Sequence, residues 1–172
     1  QELEYYRVLV PAKLALNEGR QAQAVQDAGR PLRAFIEKNV GFWKYFEAVQ
    51  VLGDIYLAIA PQETAPAKYY DLAIHQYTAL GTAPWDDYKM RAAVARGRAY
   101  HQGQKYSAAD GQFRQAIQIG NGKKDPLVVT QHRIAKVGLA DTLAKMKKPK
   151  EGIELLNQVI KEAGPEDTEL HA

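Results

Sequence analysis

The side chains able to do chemistry are few and scattered. Four histidines occur, His75, His101, His132 and His171. None stands with a second histidine or a carboxylate at a zinc-binding spacing such as H-E-x-x-H. Asp86-Asp87 lacks the surrounding run of oxygen ligands that a calcium loop needs. Gly120-Asn121-Gly122-Lys123-Lys124 combines glycine and lysine but has neither the preceding strand nor the spacing of a phosphate-binding loop. Cysteine is absent, which removes disulfides, thiolate nucleophiles and Cys-ligated zinc. Serine is nearly absent, and none sits in a nucleophile elbow. These residues read as caps, turns and solvated faces. The chain is expected to be no enzyme, with no catalytic residue, metal site or cofactor.

Charge narrows the choice only a little. The net charge is +3 and the isoelectric point about 9.0. Lys123, Lys124, Arg133, Lys136, Lys145, Lys147, Lys148 and Lys150 crowd one region against Asp125 and Asp141. They read as a solvated face with basic helix ends that suit the helix dipole, an acidic partner being the alternative. So mild an excess is a poor sign of nucleic-acid binding, and none is expected. No apolar run approaches the roughly 20 residues that cross a bilayer, and no secretory signal is visible. Lack of cysteine is compatible with cytoplasm or periplasm and decides neither.

The elements are therefore more informative than the chemistry. Ala, Leu, Gln, Lys and Glu abound, and no long alternating run suggests a half-buried strand. In the stretch 86–120, Ala93, Gly97 and Tyr100 share one helical face, and Ala109, Phe113 and Ala116 share one face of the next helix. His101-Gln102-Gly103-Gln104-Lys105 lies between them, with Gly103 placed to end the first helix. Small residues at Gly97 and Ala109 let the two helices approach, and Tyr100 and Phe113 fill the space beside them. Asp86 or Asp87 is suited to cap the first helix. The stem of Arg96 can pack while its guanidinium reaches water, the alternative being that the packing is shifted here.

Similar pairs flank this stretch. Residues 42–60 read as the most apolar helix, with Leu52-Gly53-x-x-Tyr56 on one face and Phe42, Trp43 and Phe46 filling core, an aromatic recognition surface being the alternative. After a loop bracketed by Pro61 and Pro66, a helix over 67–80 places Ala73, Tyr77 and Leu80 where Ala109, Phe113 and Ala116 fall later. Beyond the turn-rich 121–126, Leu139, Ala140 and Leu143 match the first-helix positions, and Gly152, Leu156 and Val159 the second. Residues 3–39 fit least well. Pro11 predicts a kink or late helix start, Gly29-Arg30-Pro31 a bend or split, and Ala24 and Ala28 take the small positions.

This pattern resembles the tetratricopeptide repeat (TPR), a helix–turn–helix unit of about 34 residues. From Gly53 to Gly97 is 44 residues and from Gly97 to Ala140 is 43, the surplus falling in loops. The resemblance implies an all-α fold: an α-solenoid of about four stacked pairs in a right-handed superhelix. The units are 3–39, 42–81, 86–120 and 126–163 of one domain, with 165–172 opening a further helix and the natural chain continuing into more repeats. It also implies a scaffold that binds another protein or a peptide segment in a concave groove lined by the first helix of each unit. Carried over position by position, the groove residues are Lys13 and Asn17; Glu47, Gln50 and Asp54; Arg91, Arg98, His101 and Gln102; and Asp141 and Lys145. The Lys/Asn set with which some family members clamp a terminal carboxylate is not reproduced, so a mixed-charge groove for a polar segment is expected. The alternative is a structural or self-associating segment of a larger protein.

Overall fold

The computed structural model describes residues 1–18 and 22–163. Among these, the chain is all helical, without strands, in the order α1 (Glu2–Asn17), α2 (Ala22–Lys38), α3 (Tyr45–Ile59), a 3-10 turn (Ala60–Gln62), α4 (Pro66–Leu80), α5 (Asp86–Gln102), α6 (Tyr106–Gly120), α7 (Pro126–Lys145) and α8 (Pro149–Ala163). No described helix is long and apolar enough to cross a membrane. The further helix expected over 165–172 lies outside the described residues. The chain divides into two compact units, residues 1–88 and 89–172.

In the N-terminal unit, α1 packs on α2 and α3, α2 on α3, and α3 on α4. Of the alternatives the prolines raise, the late start and the split do not occur. Pro11 sits inside a helix that already begins at Glu2, and Pro31 lies inside an uninterrupted α2. The side chains that α2 buries are Val25, Leu32, Phe35 and Ile36, with Gly29 against Ile55. Ala24 is exposed and Ala28 only half-buried. The inward face is thus set by the larger apolar side chains, because burying them removes more area from water than burying alanine. Phe42 and Trp43 precede α3 rather than belonging to it. Phe42 packs on Tyr5 and Phe35, whereas Trp43 is 67% exposed and fills no core. Within the core, Gly53 gives its missing side chain's space to Tyr77: a Cβ there would lie 2.5 Å from the ring. Ala73, Tyr77 and Leu80 are fully buried, as their spacing requires.

In the C-terminal unit, α6 packs on α7 and α7 on α8. Met90, Ala93, Ala109, Phe113, Ala135 and Leu139 belong to one buried cluster, with Tyr100 packed against it. Phe113 is its centre. A Cβ on Gly97 would lie 2.7 Å from the Phe113 ring, and one on Gly138 would lie 2.5 Å from it. Two helices therefore close on one aromatic ring. Ala140 meets α8 differently: its carbonyl lies 2.8 Å from where a Cβ on Gly152 would stand. Gly152 is buried, but Leu156 is 39% exposed and Val159 half-exposed, so the fourth pair does not repeat the ring-on-glycine contact. Asp86 and Asp87 lie within the first turn of α5. Arg96 is half-buried. Its Nε is sealed from solvent without a hydrogen-bond partner, and burial lowers its pKa.

The turns that close α5 and α7 share one geometry. Lys105 N–H donates to Tyr100 O (2.8 Å) and Gln104 N–H to His101 O (2.9 Å). Lys148 N–H donates to Leu143 O (2.8 Å) and Lys147 N–H to Ala144 O (3.1 Å). These are paired Schellman bonds, which place the residue after the cap in the left-handed region. Here that residue is Gln104 (φ +59°) and Lys147 (φ +63°), so Gly103 stands one position too early. A side chain strains this conformation and glycine does not. Gln104→Gly and Lys147→Gly are each expected to stabilise the protein by about 0.5–1 kcal/mol, as read from denaturation midpoints. Loss of stability in both would contradict the assigned strain.

Candidate partner-binding site

The residues singled out for the groove fall into two sets, one in each unit. In the N-terminal unit, Lys13 on α1 and Glu47 on α3 meet, with Nζ 2.7 Å from Oε1. Lys44 approaches the other Glu47 oxygen at 3.7 Å. Burial disfavours the Glu47 charge, but Lys13 and the neighbouring Tyr5 hydroxyl outweigh it and hold the carboxyl below its usual pKa. The same arrangement, burial first and Glu47 second, pushes the Tyr5 phenol far up. Asp54 also serves the fold, accepting a 2.7 Å bond from the Tyr77 hydroxyl. Its position beside Gly53 explains this, since the Tyr77 ring lies on that glycine and carries its hydroxyl to the next residue. Gln50 is half-buried and Asn17 exposed at the end of α1.

The C-terminal unit brings four of its residues together. Arg98, His101 and Gln102 from α5 and Asp141 from α7 line a cavity of about 190 Å³, with Phe113 and Gly138 also in its wall. Arg91 is half-buried farther up α5, and Lys145 is exposed near the end of α7. His101 is fixed on both sides. Its Nδ1 lies 3.0 Å from the Thr142 hydroxyl, and its Nε2 lies 3.1 Å from Asp141 Oδ2. The Thr142 hydroxyl spends its proton on Gly138 O at 2.7 Å. It therefore accepts from His101, and Nδ1 carries a hydrogen. The Tyr106 ring stands edge-on to the imidazole at 5.3 Å between centroids.

Two members of this site, Thr142 and Gly138, have little sequence signal. Thr142 returns its hydroxyl to the carbonyl four residues back, a bond that any helical threonine can make. Gly138 and Phe113 shape the wall only because α5 and α7 both close on that ring. The basic region contains a second departure from expectation. Lys136 is 5% exposed and bonds Glu162 Oε1 through Nζ at 2.6 Å, so it belongs to the interior and not to a solvated face. His132 is half-buried beside Gly120, with Nε2 sealed and without a hydrogen-bond partner. Among the described residues, no three His, Asp or Glu side chains converge as a metal-binding set. Comparison with protein-family models, curated proteins and solved structures finds no match.

Proposed function

We propose that the chain is a TPR-like helical-repeat module that binds a segment of another protein and performs no chemistry. The observation that carries this reading is the cavity on α5 and α7, where Arg98, His101, Gln102 and Asp141 meet. It holds cationic and anionic groups over an aromatic wall, and its histidine is pre-oriented by Thr142 and Asp141. Pre-orientation lowers the ordering cost of binding. Groups of both signs suit a polar, mixed-charge segment better than a uniformly acidic one. In this reading the helix pairs stack as a right-handed solenoid, each sheltering an apolar face that it cannot bury alone.

A second reading, self-association or packing within a larger protein, is favoured by uncovered apolar side chains. Leu3, Tyr6, Val10 and Leu14 form a stripe on α1, and Ile153, Leu156 and Ile160 form one on α8. One experiment addresses both. The whole chain is used to select binders from a random-peptide display library, with Arg98→Glu and Asp141→Lys proteins as controls. Selected peptides should lose about tenfold or more in affinity for either variant, the scale of a lost charge-assisted bond. Equal binding to both variants removes the groove assignment. A concentration-dependent dimer by light scattering, without selectable peptides, favours the second reading.

A further inference from the structure

A different cavity has the size and lining of a small-molecule site. In the N-terminal unit two adjoining hollows, of about 340 and 350 Å³, lie among α2, α3 and α4. Each reaches the range of about 300–1,000 Å³ typical of ligand pockets. They share Arg33, Leu52, Tyr56 and Leu72, so one elongated molecule can run from the first into the second. None of the residues singled out for the groove lines either hollow.

The lining divides into an apolar floor and a cationic rim. Leu52, Ile55 and Leu72 supply floor in the first hollow, and Ile36 and Ala79 continue it in the second. Arg30 and Arg33, one turn apart on α2, and Lys68 at the start of α4 stand on the rim of the first. Glu37 is the one carboxylate lining either hollow. Arg30 bonds Asp27 through one terminal nitrogen (2.8 Å), and Arg33 bonds Glu37 through Nε (2.9 Å). A guanidinium carries five N–H donors in a fork that matches a carboxylate, so these pairs do not exhaust either arginine. Gln26 and Tyr69 close the same end with a 3.2 Å bond from amide to hydroxyl.

We propose that this cavity binds a small amphiphilic carboxylate, with its anionic head at Arg30, Arg33 and Lys68 and its apolar chain over Leu52 and Leu72. The charge balance of the lining selects the head, and the apolar floor selects the chain. An uncharged amphiphile of the same length gains only the floor.

The test is an amide-resolved NMR titration of the whole chain with decanoate, in parallel with decanol. Decanoate should shift the amides of Gly29, Leu52 and Leu72 saturably, with decanol about tenfold weaker or more, as expected for a lost charge-assisted bond. Leu72→Trp fills the junction of the hollows and should abolish binding. Lys68→Glu, at an exposed position, should weaken decanoate while leaving decanol unchanged, so the test survives if the tryptophan variant misfolds. Absence of saturable shifts overturns the proposal, as does equal affinity for decanol or binding that ignores both substitutions.

Discussion

Phe113→Ala is expected to cost the C-terminal unit about 3–5 kcal/mol, the usual penalty for deleting a buried aromatic ring. That is a large share of the 5–15 kcal/mol that holds a typical domain together. The ring is 1% exposed and lies where side chains on Gly97 and Gly138 would stand. Its removal leaves a cavity walled by two helix backbones, and rigid helices collapse poorly into such a space. Enlarging the wall instead should also hurt. A Cβ on Gly138 would approach the ring to 2.5 Å, so Gly138→Val must displace either ring or helix, at about 1–3 kcal/mol. Combining Gly138→Val with Phe113→Leu should cost less than the sum of the single changes, because both act on one space. Trp43 and Trp85 both lie in the N-terminal unit, so the loss is read by circular dichroism or hydrogen exchange of α6 and α7 amides rather than by tryptophan fluorescence. A cost for Phe113→Ala below about 1 kcal/mol would place the residue among surface substitutions and refute its central role.

The same ring shows what the sequence could reveal. A small residue on one helix and an aromatic on the next is a local pattern, and it was legible at Gly53–Tyr77 and at Gly97–Phe113. Gly138 was not legible, because its reason lies in a contact between α6 and α7 and not within one helix pair. The first unit misled for a related reason. Ala24 and Ala28 fit a repeat register, but Val25, Leu32, Phe35 and Ile36 bury more apolar area and turn α2 to suit themselves. At Gln104 and Lys147 the hydrogen-bond geometry of the helix ends overrides residue preference: Gly103 marks where α5 stops, but the left-handed conformation falls on the residue after it.

The candidate site was legible only as helix faces. His101 and Asp141 are 40 residues apart, and the helical period says that each belongs to a first helix, not that they meet. Nor could spacing separate groups held by the fold from groups left to solvent. Asp54, bonded to Tyr77, and Glu47, bonded to Lys13, differ from Asn17 only in what packs beside them. Tertiary contact decides this, and it enters the sequence only through residues dozens of positions away.

Lys136 is the sharpest example, and its partner carries the second large expectation. Glu162→Gln should destabilise the C-terminal unit by about 1–3 kcal/mol, the cost of leaving a buried charged group without its counter-charge. The full penalty of breaking an enclosed ion pair is not expected, because the Glu162 side chain is 44% exposed and water can partly replace it. Lys136→Met should be milder, since it removes the charge along with its need for a partner. The neighbouring His132 gives the same region a pH dependence. Burial first, then the Lys136 charge, lower its pKa below the ordinary histidine value, and Glu162 partly offsets them. The unfolded chain therefore binds more protons than the folded one at mildly acidic pH, so stability falls as pH drops through the ordinary histidine value of about 6.5 toward the lower folded one. His132→Gln should flatten that slope, whereas Glu162→Gln should steepen it by removing the one carboxylate that favours the imidazolium. Denaturation midpoints of the three proteins between neutral and mildly acidic pH separate these outcomes. A slope unchanged in His132→Gln would assign the acid sensitivity to another group, and an unchanged midpoint in Glu162→Gln would show that Lys136 does not depend on its carboxylate.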